Sequence, residues 1–197
     1  MNQTKPLPET TQHARKLWNA LQKSLGSNLL ESYPVLMDAF VIFGEATLAS
    51  DAGAHEATSL LCRSALEAAM YLFVTNKPRK RGGWTIDPPK QLDGSVRRVT
   101  FDELERAIRG ADILSPSQMK DLRRVKIHGD LIAHIGERHV RVMVDVFPKG
   151  PPERMRMWVG PNEAYSDLVD TASILESVAK AIVRKSSSRN RSKRPLG

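Results

Sequence analysis

The sequence predicts a mainly α-helical protein, a bundle of four to five helices with a small β-hairpin inserted before the last helix. Apolar residues recur at steps of three and four along much of the chain, which is the period of an amphipathic helix. Residues that favour helix starts and stops bracket these segments. Residues 138–159 instead alternate with period two, and this alternation predicts the hairpin.

The N-terminal part of the chain predicts two helices. Residues 1–30 form an extension, with a helix from Pro8 to about Leu25. A domain spanning residues 31–184 follows, and its first helix begins at Pro34 and ends near Ser50. This helix is apolar nearly all round, so we expect it to be central and buried, although its AFVIF stretch alone would also suit a strand. The N-terminal helix has an apolar face made of Ala14, Leu17, Trp18, Leu21 and Leu25.

The middle of the chain predicts three helices and one irregular segment. A helix from about Ala54 to Thr75 carries a stripe of small residues, and residues 76–100 are an irregular basic excursion rich in proline and glycine. A short helix covers Phe101 to Arg109. The next helix runs to about His134, and its start is a capping box made of Ser115, Pro116 and Gln118.

The C-terminal part predicts the hairpin at 138–159, one long helix over 161–184 and a basic disordered tail at 185–197. The helix presents a regular apolar seam to the core. The seam residues are Leu168, Ala172, Leu175, Ala179 and Ile182.

Composition excludes several protein classes. Hydrophobic residues make up 41% and charged residues 26% of the 197 positions, which is ordinary for a folded globular protein. The single cysteine, Cys62, excludes an intramolecular disulfide and a multi-cysteine zinc site. Residues 1–16 do not read as a signal peptide, and the longest apolar stretch, 39–43, is too short to cross a bilayer. We therefore expect a cytoplasmic protein without membrane contact.

Positive charge is concentrated in two places. The formal net charge is +8, and six lysines and arginines lie in the last fourteen residues. The second group lies in the excursion at 76–100, and without both groups the rest of the chain is close to neutral. Such clusters attract polyanions by releasing condensed counterions, but they also occur as solvated, solubilising surface, and both interpretations stay open. The second group is Lys77, Arg79, Lys80 and Arg81.

One edge of the predicted 115–134 helix gathers groups that could carry chemistry. Arg123, Asp130 and His134 fall on one stripe, and Lys126 borders it. Asp130 and His134 are four residues apart, so the carboxylate could orient the imidazole for acid–base work, or the two could form a structural ion pair. Gly129 is disfavoured inside a helix, which predicts close packing against the third helix or a dimer mate.

A second pair on the third helix could join this edge. Arg63 and Glu67 are also four residues apart, so they could simply pair within the helix. If the two helices pack together, the same side chains could instead meet Asp130 and His134. Cys62 beside them is interpreted as a small core residue rather than a nucleophile.

These two segments resemble a known family. Residues 62–69, Cys-Arg-Ser-Ala-Leu-Glu-Ala-Ala, are similar to the "RRALEAAL" helix of a bacterial and archaeal domain-of-unknown-function family. Residues 125–134 are similar to its second signature, "I-R-x-L-G-N-x-A-A-H". That family belongs to the HEPN superfamily (higher eukaryotes and prokaryotes nucleotide-binding), and the resemblance covers roughly residues 35–184.

The resemblance implies a HEPN-like bundle that often dimerises. In catalytic HEPN proteins an arginine, four to six residues and then a histidine lie on one helix, and two copies cleave RNA without metal across the dimer groove. His134 matches the histidine, Lys126 the basic position and Asp130 the polar position after the glycine. The three positions where the arginine would fall are isoleucine, histidine and glycine at 127–129, so no arginine is in register.

The leading hypothesis is therefore a HEPN-like module, non-catalytic or weakly active, that binds RNA or a nucleotide or regulates a partner protein. The alternative is a metal-independent endoribonuclease acting across a homodimer groove, with His134 and Asp130 as catalytic residues. A plain helical dimerisation protein is a third hypothesis. Glu67 and Gly129 would support the site, and no metal or cofactor is expected. The predicted RNA- or phosphate-binding residues are Arg63, Arg79, Lys80, Arg81, Arg123 and Lys126.

Overall fold

The fold is mainly α-helical, as predicted. The structure is a computed structural model that describes residues 34–78, 84–86, 89–133 and 159–191, with a few helical positions between 15 and 23. Two short strands, β1 (Asn76–Pro78) and β2 (Trp84–Ile86), pair in antiparallel register. The helices are α1 (Pro34–Asp51), α2 (His55–Thr75), α3 (Phe101–Gly110), α4 (Pro116–Ala133) and α5 (Pro161–Arg191).

Helix α2 lies at the centre of the bundle. It packs against α1, α3, α4 and α5, whereas α1 packs against α2 and α5 only. The buried face of α2 carries several small side chains, including Cys62, Ala65 and Ala69, and these allow neighbouring helices to approach closely. The prediction that α1 would be the central helix is wrong, because one of its faces stays exposed.

The core is continuous through all five helices. The predicted seam of α5 is confirmed, since each of its five residues is buried. The predicted apolar residues Leu104 and Ile108 of α3 are buried as well. The largest fully buried side chains are Phe40 and Phe43 from α1, Leu66 and Met70 from α2, Leu104 and Ile108 from α3, Leu122 from α4, and Leu168, Ile174, Leu175 and Ile182 from α5.

Side-chain caps begin α3 and α4. The predicted capping box of α4 is confirmed: the Ser115 N–H donates to Gln118 Oε1 at 3.0 Å and the Gln118 N–H donates to Ser115 Oγ at 3.2 Å. Gln118 Nε2 also donates to Ser173 Oγ at 3.0 Å and to Ser177 Oγ at 2.9 Å on α5. The cap therefore joins the start of α4 to the middle of α5.

The box at the start of α3 makes stability depend on pH. The Thr100 N–H donates to Glu103 Oε2 at 2.9 Å, and Arg97 Nη1 donates to Oε1 at 2.8 Å. These bonds lower the pKa of Glu103 from 4.5 to about 2. Because the folded pKa lies below the ordinary value, the ionised carboxylate stabilises the fold above pH 4.5, and that stabilisation is lost as the pH falls towards 2.

We therefore expect Glu103→Gln to be less stable than the natural chain at neutral pH, and the two stabilities to converge as the solution is acidified towards pH 2. Urea unfolding at a series of pH values measures the difference. A stability difference that is the same at neutral and acid pH would contradict the role of the ionised carboxylate.

Three segments differ from the prediction or lie outside the described residues. Residues 76–100 were predicted to be irregular, but they contain the β1–β2 pair and an isolated bridge between Lys90 and Val96. Helix α5 ends at Arg191 rather than Arg184, so its last turns include residues assigned to the disordered tail. The hairpin strands, His134, the loop residues 79–81 and the chain end beyond Arg191 lie outside the described residues.

Among the described helices, α2 has the length and apolar composition of a membrane-crossing segment. A core helix can have the same composition, and 44% of that α2 window is buried inside the bundle. Its apolar side chains are therefore explained by packing against four neighbouring helices.

Candidate functional site

Gly129 brings α4 into close contact with α2. A Cβ atom placed on Gly129 would lie 2.6 Å from Arg63 Cβ and 2.4 Å from Arg63 Cδ. The glycine therefore leaves the space in which the stem of the arginine lies. This confirms the prediction that the Gly129 face packs against the third helix of the sequence, which is α2.

Arg63 connects the two helices through its charge as well. Its Nη1 lies 3.1 Å from Glu67 Oε2 on α2, and its Nε lies 2.8 Å from Asp130 Oδ1 on α4. The Nε–H is not aimed along a hydrogen-bond direction, so the contact with Asp130 is an ion pair. The Arg63 side chain is only 19% exposed. Both alternatives that the sequence left open therefore occur together, the pair within α2 and the pair across to α4.

Lys126 completes this group of charges. Its Nζ lies 3.1 Å from Asp130 Oδ2 and 3.2 Å from Asp102 Oδ1 on α3. Desolvation lowers the pKa of Lys126, but the hydrogen bonds to the two carboxylates outweigh it and raise the pKa overall. The Arg63 and Lys126 cations also lie 5.5 Å and 5.9 Å from the centre of the Phe101 ring. We call Arg63, Glu67, Asp102, Lys126 and Asp130 the Arg63 cluster.

An open groove lies beside the Arg63 cluster, between α1, α2 and residues 96–99. Its volume is about 620 Å³, which falls within the range of small-molecule sites. Arg97 on its wall is paired with Glu103, whereas Arg98 is exposed and makes no ion pair with a described residue. Glu67 belongs to both the groove and the Arg63 cluster. The groove is lined by Asp38, Ser64, Glu67, Ala68, Tyr71 and residues 96–99.

Arg123 does not join the Arg63 cluster. Its Nε donates to Glu105 Oε1 at 2.8 Å, and Arg109 contacts the same oxygen. The Arg123 side chain is 53% exposed, so this is a surface network between α3 and α4. The predicted stripe of one helix edge is therefore divided into two separate groups of charges. His134, Arg79, Lys80 and Arg81 lie outside the described residues.

A buried polar network joins α2, α4 and α5, and the sequence analysis missed it. Asp167 is fully buried on α5, and it accepts a hydrogen bond of 2.6 Å from Ser59 Oγ on α2. The Nδ1 atom of His128 on α4 lies 2.9 Å from Asp167 Oδ2. A polar residue within the apolar seam of α5 was the available signal, because a buried carboxylate requires partners.

Cys62 lies next to this network. Burial is the main reason that the pKa of its thiol is raised well above the ordinary value, and the nearby Asp167 carboxylate raises it further. A contact with the Thr171 hydroxyl acts in the opposite direction but is weaker. The thiol is therefore protonated at neutral pH, which confirms its interpretation as a core residue rather than a nucleophile.

The described residues contain no group of three or more histidine, cysteine, aspartate or glutamate side chains that could hold a metal ion. No protein-family model, curated protein or solved structure matches the chain. The candidate site is therefore defined by geometry: the Arg63 cluster and the groove next to it.

Proposed function

We propose that the protein is a HEPN-like helical module that is non-catalytic or weakly active, and that it binds RNA or a nucleotide. The charged residues named by the resemblance would then hold the bundle together rather than cleave a phosphodiester. The ligand would bind in the groove beside them. Regulation of a partner protein is the function that remains if no nucleotide or RNA binds.

The observation that carries this proposal is the pairing of Arg63. A residue that binds a scissile phosphate must present a cation without a nearer counter-charge. Arg63 instead lies between Glu67 and Asp130 and packs against Gly129. Lys126 is likewise held by two carboxylates. A phosphate at this position would have to displace carboxylates that already neutralise both cations.

The groove offers a better place for an anionic ligand. Arg98 supplies an exposed guanidinium without an ion-pair partner among the described residues. Tyr71 and Ala68 provide aromatic and apolar surface beside it, and Asp38 provides a hydrogen-bond acceptor. A nucleotide has a phosphate for the first, a flat base for the second and donor groups for the third.

We expect Arg98→Ala to weaken binding of a fluorescent adenine nucleotide and of a short single-stranded RNA by about five- to tenfold, as loss of one charge-assisted contact predicts. Arg106→Ala is the matched control, because Arg106 is exposed on α3 and does not line the groove. Fluorescence anisotropy measures both affinities.

A salt series separates the groove from the basic C-terminal end. A chain ending at Val183 should lose part of the salt dependence of RNA binding but keep its nucleotide affinity. Equal effects of Arg98→Ala and Arg106→Ala would remove the groove from the proposal. Absence of binding for both the nucleotide and the RNA would overturn the binding function as a whole.

A further inference from the structure

One face of α1 is apolar, exposed and without a partner among the described helices. Met37, Val41 and Leu48 are 39%, 51% and 63% exposed, and Gly44 lies between them on the same face. We call these four residues the outer face of α1. Large apolar side chains around a glycine on one helix face are typical of a surface that another helix covers.

The charges beside this face indicate what covers it. Asp38 and Glu45 are exposed along one edge, and neither forms an ion pair with a described residue. A second copy of the chain packed antiparallel on this face would place Asp38 of one copy near Glu45 of the other. Like charges in contact are unfavourable, so the face fits an apolar helix that carries cations and no acids.

The N-terminal segment has this composition. Residues 10–30 contain no aspartate or glutamate, and they include Arg15, Lys16 and Lys23. Residues 15–17, 19, 20 and 23 are helical in the structure. Leu17, on the predicted apolar face, is partly shielded, whereas the neighbouring Arg15 and Lys16 are exposed. The segment therefore combines an apolar face with positively charged flanks.

Length and connection also fit. At 1.5 Å per residue, a helix over residues 9–25 spans about 26 Å and α1 spans about 27 Å. Residues 26–33 connect them, which is within the usual length of a helix–helix connection in a bundle. An antiparallel arrangement brings Lys23 towards Asp38 and Arg15 towards Glu45.

We propose that the N-terminal helix, residues 9–25, packs antiparallel on the outer face of α1 and pairs its cations with Asp38 and Glu45. Because Asp38 also lines the groove, the docked helix forms an additional wall of that groove. The N-terminal extension is then a structural part of the domain and lies beside its candidate ligand site.

The test uses thermal unfolding of the full chain with Val41→Asp, Leu21→Asp and the double variant. Each single substitution should lower the Tm by about 5–10 °C, and the double variant should fall no further than either single one, because both undock the same helix. Ala20→Asp is the control, because Ala20 is exposed and lies opposite the predicted apolar face; its Tm should stay within about 2 °C.

A charge exchange provides a second, milder test. Glu45→Lys should lower the Tm, and adding Arg15→Glu should recover it. Light scattering measures the mass of each variant. If Val41→Asp leaves the Tm unchanged, the face is simply solvated and the proposal is wrong. If Val41→Asp instead converts a dimer to a monomer while Leu21→Asp behaves like Ala20→Asp, a second copy covers the face and the proposal is also wrong.

Discussion

Gly129→Ala is expected to destabilise the protein by about 3 kcal/mol, the upper range for overpacking a tight core. Alanine is the better helix former by roughly 1 kcal/mol, so a solvent-facing glycine would respond in the opposite direction. The new methyl group would lie 2.6 Å from Arg63 Cβ, an atom close to the α2 backbone that cannot rotate away. Relief requires the helices to separate, which also loosens the Arg63–Asp130 ion pair. Urea unfolding measures the loss.

Gly110→Ala is the matched control for this prediction. Gly110 ends α3, and a Cβ placed there meets nothing within 4 Å. Its substitution should be neutral or slightly stabilising. Arg63→Ala in the Gly129→Ala background should restore part of the lost stability, because it removes the Cγ and Cδ atoms that also clash. Equal, small effects at Gly129 and Gly110 would contradict the close contact between α2 and α4.

Asp167→Ala is the second large effect that we expect, a loss of about 3 kcal/mol. The substitution leaves the Ser59 hydroxyl and His128 Nδ1 without their acceptor in the middle of the bundle. It also opens a cavity where the fully buried side chain was. Asp167→Asn keeps the shape and one acceptor oxygen, so its loss should be smaller. Denaturant unfolding of both variants measures the difference.

Lys180→Ala is the control on the same helix. Its pair with Glu176 is an exposed i, i+4 ion pair at 2.5 Å, and such pairs contribute only about 0.3–0.5 kcal/mol. If Asp167→Ala were as mild as Lys180→Ala, the buried network would not hold α2, α4 and α5 together.

Most of the fold could be predicted from local patterns. The bounds of α1, α2, α3 and α4 follow from apolar periodicity and from caps such as Ser115–Gln118 and Thr100–Glu103. The position of α1 could not be predicted in the same way. Its hydrophobicity suggested a central helix, but α2 takes the centre because its small residues allow four helices to approach. Hydrophobicity indicates that a helix is covered, not which element covers it.

The candidate site was predictable only in part, because its contacts lie between helices. The spacing of Arg63 and Glu67 indicated a pair, and Gly129 indicated close packing, and both features occur in the Arg63 cluster. Nothing in the spacing of α4 indicated that Asp102 of α3 would bind Lys126, or that Arg123 would turn to Glu105. These partners are set by how α3 packs, which the sequence pattern of one helix does not contain.

The most direct measurement of the central claim combines RNA binding and RNA cleavage in one sample. The full chain and His134→Ala are incubated with fluorescent single-stranded RNA in EDTA, anisotropy reports binding, and denaturing gels report chain length. We expect both proteins to bind the RNA and both to leave it intact or nearly so, because the Arg63 cluster neutralises its own cations. Efficient cleavage by the natural chain that disappears in His134→Ala would contradict this account and establish the metal-independent endoribonuclease instead.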